Sequence, residues 1–117
     1  MKVSFNGIGE QVVTFYSKDT AKAKPGAPVK ISSAGEVSSC ADGDRFCGIC
    51  VSEKEGFAAV QTGGYVTAVY AGTAPAVGYG RLAAGGGDTV KTAASTAGAE
   101  YLIVEVDTAA NTVGFFL

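Results

Sequence analysis

Short runs rich in Val, Thr, Tyr and Phe recur along this chain, each closed by Gly, Asp or Asn. That rhythm constrains the fold more than any other feature. The runs fall at roughly the 8–12-residue spacing of a small sandwich or barrel. Expected strands cover residues 11–16 (QVVTFY), 29–31, 45–52 (RFCGICVS), 57–61 (FAAVQ), 65–70 (YVTAVY), 78–83 (GYGRLA), 90–92, 101–106 and 112–117. Ser33, Ala34, Gly35 and Glu36 read as a hairpin turn leading into Val37. Asp42-Gly43 is a strong turn signal, because Asp tolerates and Gly favours positive φ. Residues 53–56 (EKEG), 85–88 (GGGD) and 107–111 (DTAAN) read as further turns. No segment sustains a 3.6-residue apolar period. Residues 92–100 (TAASTAGAE) are the one helical candidate, and Gly98 weakens it.

The expected architecture is all-β: a small β-barrel or compact sandwich with an extended N-terminal arm. Residues 1–24 form that arm or a first strand, and residues 25–117 form a single barrel-like domain. A chain of 117 residues has room for one such core. The apolar share is dominated by Ala and Val, so the core must be built from small side chains. Its expected members are Val29, Ile31, Val37, Phe46, Ile49, Val51, Val60, Val66, Val69, Leu82, Leu102, Val104, Val106, Val113 and Phe115.

Chemistry is sparse. Histidine is absent, which removes the commonest general base and every imidazole-dependent triad. The net charge of −2 speaks against a basic nucleic-acid footprint. No apolar run approaches the roughly 20 residues that span a bilayer, and the N-terminus lacks a signal-peptide h-region. Three cysteines, Cys40, Cys47 and Cys50, are an odd count for a disulfide framework and fit a reducing cytoplasmic origin. Cys47 and Cys50 form a CxxC, but in an expected strand rather than at a helix N-terminus. Positions three apart on a strand face opposite sides unless a bulge intervenes, so small inert thiols are favoured over a redox or metal role. The glycine-rich turns lack the endings of a phosphate loop. Asp42 with Asp44, Glu53 with Glu55, and Glu105 with Asp107 sit beside turns, where carboxylate pairs are ordinarily solvated. No cofactor and no metal are expected. Lys18, Lys22, Lys24 and Lys30 concentrate positive charge near the N-terminus, for solubility or for docking on an acidic partner.

From Ala23 onward the order of segments is distinctive: KPGAPVKI, then AGEV, ADGDRFCG, AAVQTGGYV, and at the end YLIVEVD and VGFFL. This order resembles the head decoration proteins of tailed phages and prophages, a group formerly of unknown function. The resemblance implies a non-enzymatic structural protein of the virion, made in the bacterial host cytoplasm. Its partner would be the major capsid protein, bound at symmetry axes by a homo-oligomer, with a trimer favoured, and with no nucleic acid or membrane involved. Candidate partner-binding residues are Phe5, Val12 and Phe15 on the arm and Thr73, Ala74 and Pro75 on a loop, chosen for composition and expected exposure. The CxxC cysteines match no functional feature of that group. The competing reading is a stand-alone β-barrel module for carbohydrate or another small ligand, with Tyr65, Tyr70 or Tyr79 as stacking platform. A redox or metal enzyme using Cys47 and Cys50 ranks third.

Overall fold

A computed structural model describes residues 9–18, 22–94 and 96–117. It is all-β. Ten strands follow in order: β1 (Gln11–Ser17), β2 (Pro28–Ser33), β3 (Glu36–Ser39), β4 (Gly48–Lys54), β5 (Phe57–Gly63), β6 (Tyr65–Val69), β7 (Gly78–Ala84), β8 (Val90–Thr92), β9 (Ala99–Asp107) and β10 (Thr112–Phe116). The first five close a barrel in the order β1-β3-β2-β4-β5, and the last five form a sheet in the order β6-β10-β9-β7-β8. That second sheet nearly closes too, since Tyr70 bridges Val90 in parallel and the Ala71 N–H donates to the Val90 carbonyl at 2.9 Å. Among the described residues of 92–100 there is no helix: Gly98 has φ +63° and β9 begins one residue later.

Residues 11–17 are a strand of the closed barrel rather than a free arm, because β5 pairs with one edge of them from Gln11 to Tyr16 and β3 with the other edge at Tyr16 and Ser17. The barrel interior holds Val29, Val37, Cys50, Ala58 and Val60, with Phe15 packed against them. A second core, under the β6–β10 sheet, joins Leu82, Val90, Ile103, Val113 and Phe115 to Cys40, Phe46 and Ile49, which the N-terminal half supplies. Phe46 therefore crosses between modules. It stacks on Tyr101 at 5.3 Å and meets the edge of Phe115 at 6.1 Å.

Small side chains fill the centre as the composition requires: Ala58, Ala83 and Ala84 are wholly buried. Several expected core residues are not. Val69 lies three positions from Val66, so strand alternation turns it outward with Thr67. Val51 occupies a bulge between Cys50 and Ser52, which points Cys50 inward and Val51 out. Ile31 keeps the phase of Val29, but β4 pairs only with Pro28 and Val29, leaving Ile31 uncovered at a lip. A register shift in the β9–β10 pairing sets Ile103 beside Phe115 and Val106 beside Val113. Leu102 and Val104 take the other face of β9 and are half-buried.

The turn at residues 41–44 fastens the two modules. Gly43 takes φ +90°, and its N–H donates to the Ala84 carbonyl at 2.8 Å, while the Ala84 N–H returns to the Asp44 carbonyl at 2.8 Å. The carboxylates of the same turn bind in opposite directions, Asp44 to Lys30 at 2.6 Å and Asp42 to Lys91 at 2.7 Å.

Candidate interaction surfaces

A groove of about 610 Å³ lies where barrel and second sheet meet, with Lys30, Asp44, Arg45, Cys47, Tyr101 and Leu117 among its walls. Its polar side is organised by one carboxylate. Asp44 accepts from the Lys30 ammonium at 2.6 Å and from the Ala41 N–H at 2.8 Å. The Lys30 hydrogen bond, then the Ala41 N–H, hold the Asp44 carboxyl below its usual range, and Asp44 in turn raises Lys30. Lys30 is thus committed to an internal pair, whereas Lys18, Lys22 and Lys24 are exposed. Tyr101 forms the aromatic wall, its hydroxyl pushed up in pKa chiefly by burial.

The pair gives a signed pH dependence. Asp44 is depressed in the folded state, so its contribution is present above the unfolded carboxyl pKa of about 4 and disappears as pH falls through the lower folded value. Lys30 is raised, so its contribution is present below about 10.4 and disappears as pH climbs through the folded value above that. Asp44→Ala is expected to destabilise by about 1 kcal/mol at neutral pH through the lost bond to the Ala41 N–H. It should also flatten the acid limb of a Tm-against-pH curve. An unchanged acid limb would show that Asp44 is not the group responsible.

Of the other expected pairs, Glu105 and Asp107 have structural work, whereas Glu53 Oε1 is buried without a hydrogen-bond partner among the described residues. Glu105 accepts from the Tyr65 hydroxyl at 3.1 Å, and Asp107 accepts from the N–H groups of Ala109 and Ala110 at 3.0 and 3.1 Å. Among the described residues no three metal-ligating side chains cluster. Cys40, Cys47 and Cys50 are free thiols. Cys40 belongs to the second core and Cys50 to the barrel interior, with Cys47 packed against the latter. Burial pushes Cys40 up to about 12 and raises Cys47 and Cys50 as well. Native protein at pH 8 should therefore react with a disulfide reagent far more slowly than the unfolded chain, which should release three equivalents. Rapid labelling of Cys47 or Cys50 in the folded state would argue for a reactive dithiol.

The described candidate partner-binding residues fall in two separate modules. Phe5 lies outside the described residues. Val12 is exposed on β1, but Phe15 is turned toward the barrel interior and half-buried. Thr73 and Ala74 are exposed on the loop between β6 and β7, whereas Pro75 is buried. Of the three candidate stacking tyrosines, Tyr65 and Tyr70 are buried and Tyr79 is 75% exposed.

Two apolar surface features carry no signal beyond strand phase in the sequence. On the barrel, Tyr16 and Phe57 are 61% and 49% exposed and pack together with ring centroids 5.2 Å apart. They border a shallow hollow with Glu36 and Glu55 on its rim. On the second sheet, Val77 and Tyr79 stand out at the start of β7. Once a strand's register is known, alternation assigns Tyr16 and Tyr79 to the outer faces, but register was not readable beforehand. No family model, no curated protein and no solved structure matches this chain.

Proposed function

We propose that this chain is a non-enzymatic structural protein that binds and stabilises an assembled phage or prophage head. Its partner is the major capsid protein, contacted many times over as copies repeat across the shell. The observation that carries this reading is the exposure of large apolar side chains, Tyr16 with Phe57 on one module and Val77 with Tyr79 on the other. Exposed apolar groups of this size favour association with another protein surface. Modest contacts of that kind gain avidity when repeated over a symmetric lattice. The order of sequence segments supports the same reading.

The test is co-sedimentation of the purified chain with capsids of the phage or prophage whose genome encodes it, alongside sequencing of the flanking DNA. Binding that saturates at a fixed number of copies per capsid subunit, and that Tyr79→Ala or Tyr16→Ala weakens, is the expected result. Absence of binding, with metabolic or polysaccharide genes flanking the reading frame, overturns it. The groove beside Tyr101 supports a second reading as a ligand- or carbohydrate-binding module. A glycan array answers that directly: binding abolished by Tyr101→Ala would promote it, and silence across the array would count against it.

A further inference from the structure

Phe57, Tyr16 and Glu36 stand in one row across β5, β1 and β3, because Tyr16 pairs with Phe57 on one side and with Glu36 on the other. Residues opposite one another in a sheet share a face, so the two rings and the carboxylate project outward together. Backbone bonds fix both flanks of the row. Tyr16 N–H donates to the Gly35 carbonyl at 2.9 Å and Ser17 N–H to the Gly56 carbonyl at 2.8 Å. Glu55 joins from the two-residue turn between β4 and β5, where it and Gly56 take φ +54° and +82°. Tyr16, Phe57, Glu36 and Glu55 thereby surround a hollow of about 290 Å³.

The chemistry of these walls selects the occupant. Both rings are exposed and lie 33° apart in plane, so they offer aromatic faces to a ligand, and such faces attract cations. The ion pairs among the described residues are Lys30 with Asp44 and Lys91 with Asp42, so neither Glu36 nor Glu55 has a cationic partner there. Even Lys54, opposite Phe57 on β4, pairs with neither. Glu36 is nonetheless held in place: the Ser32 and Ser33 hydroxyls donate to its Oε1 at 2.6 and 3.2 Å, which leaves Oε2 for an incoming donor. A planar guanidinium can stack on a ring and direct its N–H fork at a carboxylate at once, whereas an ammonium offers no flat face. We infer that this hollow takes the guanidinium of an arginine side chain carried by the protein on which the barrel docks. The inference rests on the reading of the Tyr16 and Phe57 face as a partner surface and supplies the chemistry that the partner must present there.

Amide NMR spectra of the full chain, titrated with acetyl-arginine amide, read this out without any capsid. Saturable shifts should centre on Tyr16, Glu36, Glu55 and Phe57, with a millimolar Kd. The citrulline counterpart, alike in shape but uncharged, should produce none, and the lysine counterpart should bind more weakly. Glu36→Gln and Glu55→Gln, which keep the side-chain shape, should each raise the Kd about three-fold, and the double variant about ten-fold. Tyr16→Ala should raise it about three-fold. The variants' own spectra show that each is folded. Arginine binding without capsid co-sedimentation would retire the capsid reading and leave the hollow's assignment standing. Shifts that do not saturate, an equal response to citrulline or lysine, or capsid binding that the double Gln variant leaves unchanged overturns the assignment.

Discussion

Phe46→Ala is expected to destabilise the protein by about 3–5 kcal/mol, a large part of the roughly 5–15 kcal/mol that a domain of this size has in total. The ring is 2% exposed and lies between Tyr101, stacked at 5.3 Å, and Phe115, edge-on at 6.1 Å. Its removal leaves a cavity among strands that cannot collapse without breaking their ladders. Covalently, Phe46 belongs to the loop before β4 of the barrel, yet it packs in the core of the second sheet. It should therefore act on coupling as well as on stability. Urea unfolding of the natural chain should follow one transition. Phe46→Ala should shift the midpoint strongly and separate the signals of the two modules. Phe57→Ala, on the exposed face of β5, is the control and should cost far less, since its ring packs on only one side, against Tyr16. Equal midpoint shifts for the two variants would show that Phe46 does not join the modules.

Much of this arrangement could be read from the chain because the relevant signals are local. Asp42-Gly43 and Ala34-Gly35 announce turns by backbone chemistry, and residues 65–69 or 112–116 announce strands by their β-branched and aromatic content. Bulges are not local in that sense. Val51 and Ile49 share a face in an ideal strand, and only the extra residue opposite Ala59 and Val60 turns Val51 outward. Likewise, Ile31 has the alternation of a core residue and loses its cover because β4 ends its pairing with β2 at Val29. The division into a five-stranded barrel and a five-stranded sheet was equally hidden, since strand order depends on pairings between residues far apart. The candidate surfaces follow the same logic. Val12 and Thr73 were legible as exposed, but Phe15 and Pro75 were not legible as turned inward, because composition carries no phase. The groove at Tyr101 was missed for a related reason: its walls come from five separate stretches of chain.

Gly98→Ala should be the most damaging of the single-atom changes. Two costs add there, and neither depends on the surface being buried by a partner. Gly98 has φ +63°, a conformation that costs an L-residue about 1–2 kcal/mol. A Cβ at this position would also fall on the Leu82 carbonyl oxygen, with the carbonyl carbon at 2.8 Å and the Ala83 Cβ at 3.0 Å. Neither neighbour can give way easily. Leu82 and Ala83 are fully buried in β7, and Arg81 fixes the approaching segment by donating to the Ala97 and Gly98 carbonyls at 3.0 and 3.1 Å. Relief would require β9 to separate from β7 where Ala99 pairs with Leu82. The expected loss is about 3 kcal/mol or more. Gly35→Ala separates the two contributions, because Gly35 has φ +72° but open space where a Cβ would stand. It should lose only the backbone share, about 1–2 kcal/mol. If chemical denaturation gives the same loss for both variants, the close approach of Gly98 to β7 is not what the native state requires; a clear excess at Gly98 locates that requirement at the Leu82 carbonyl.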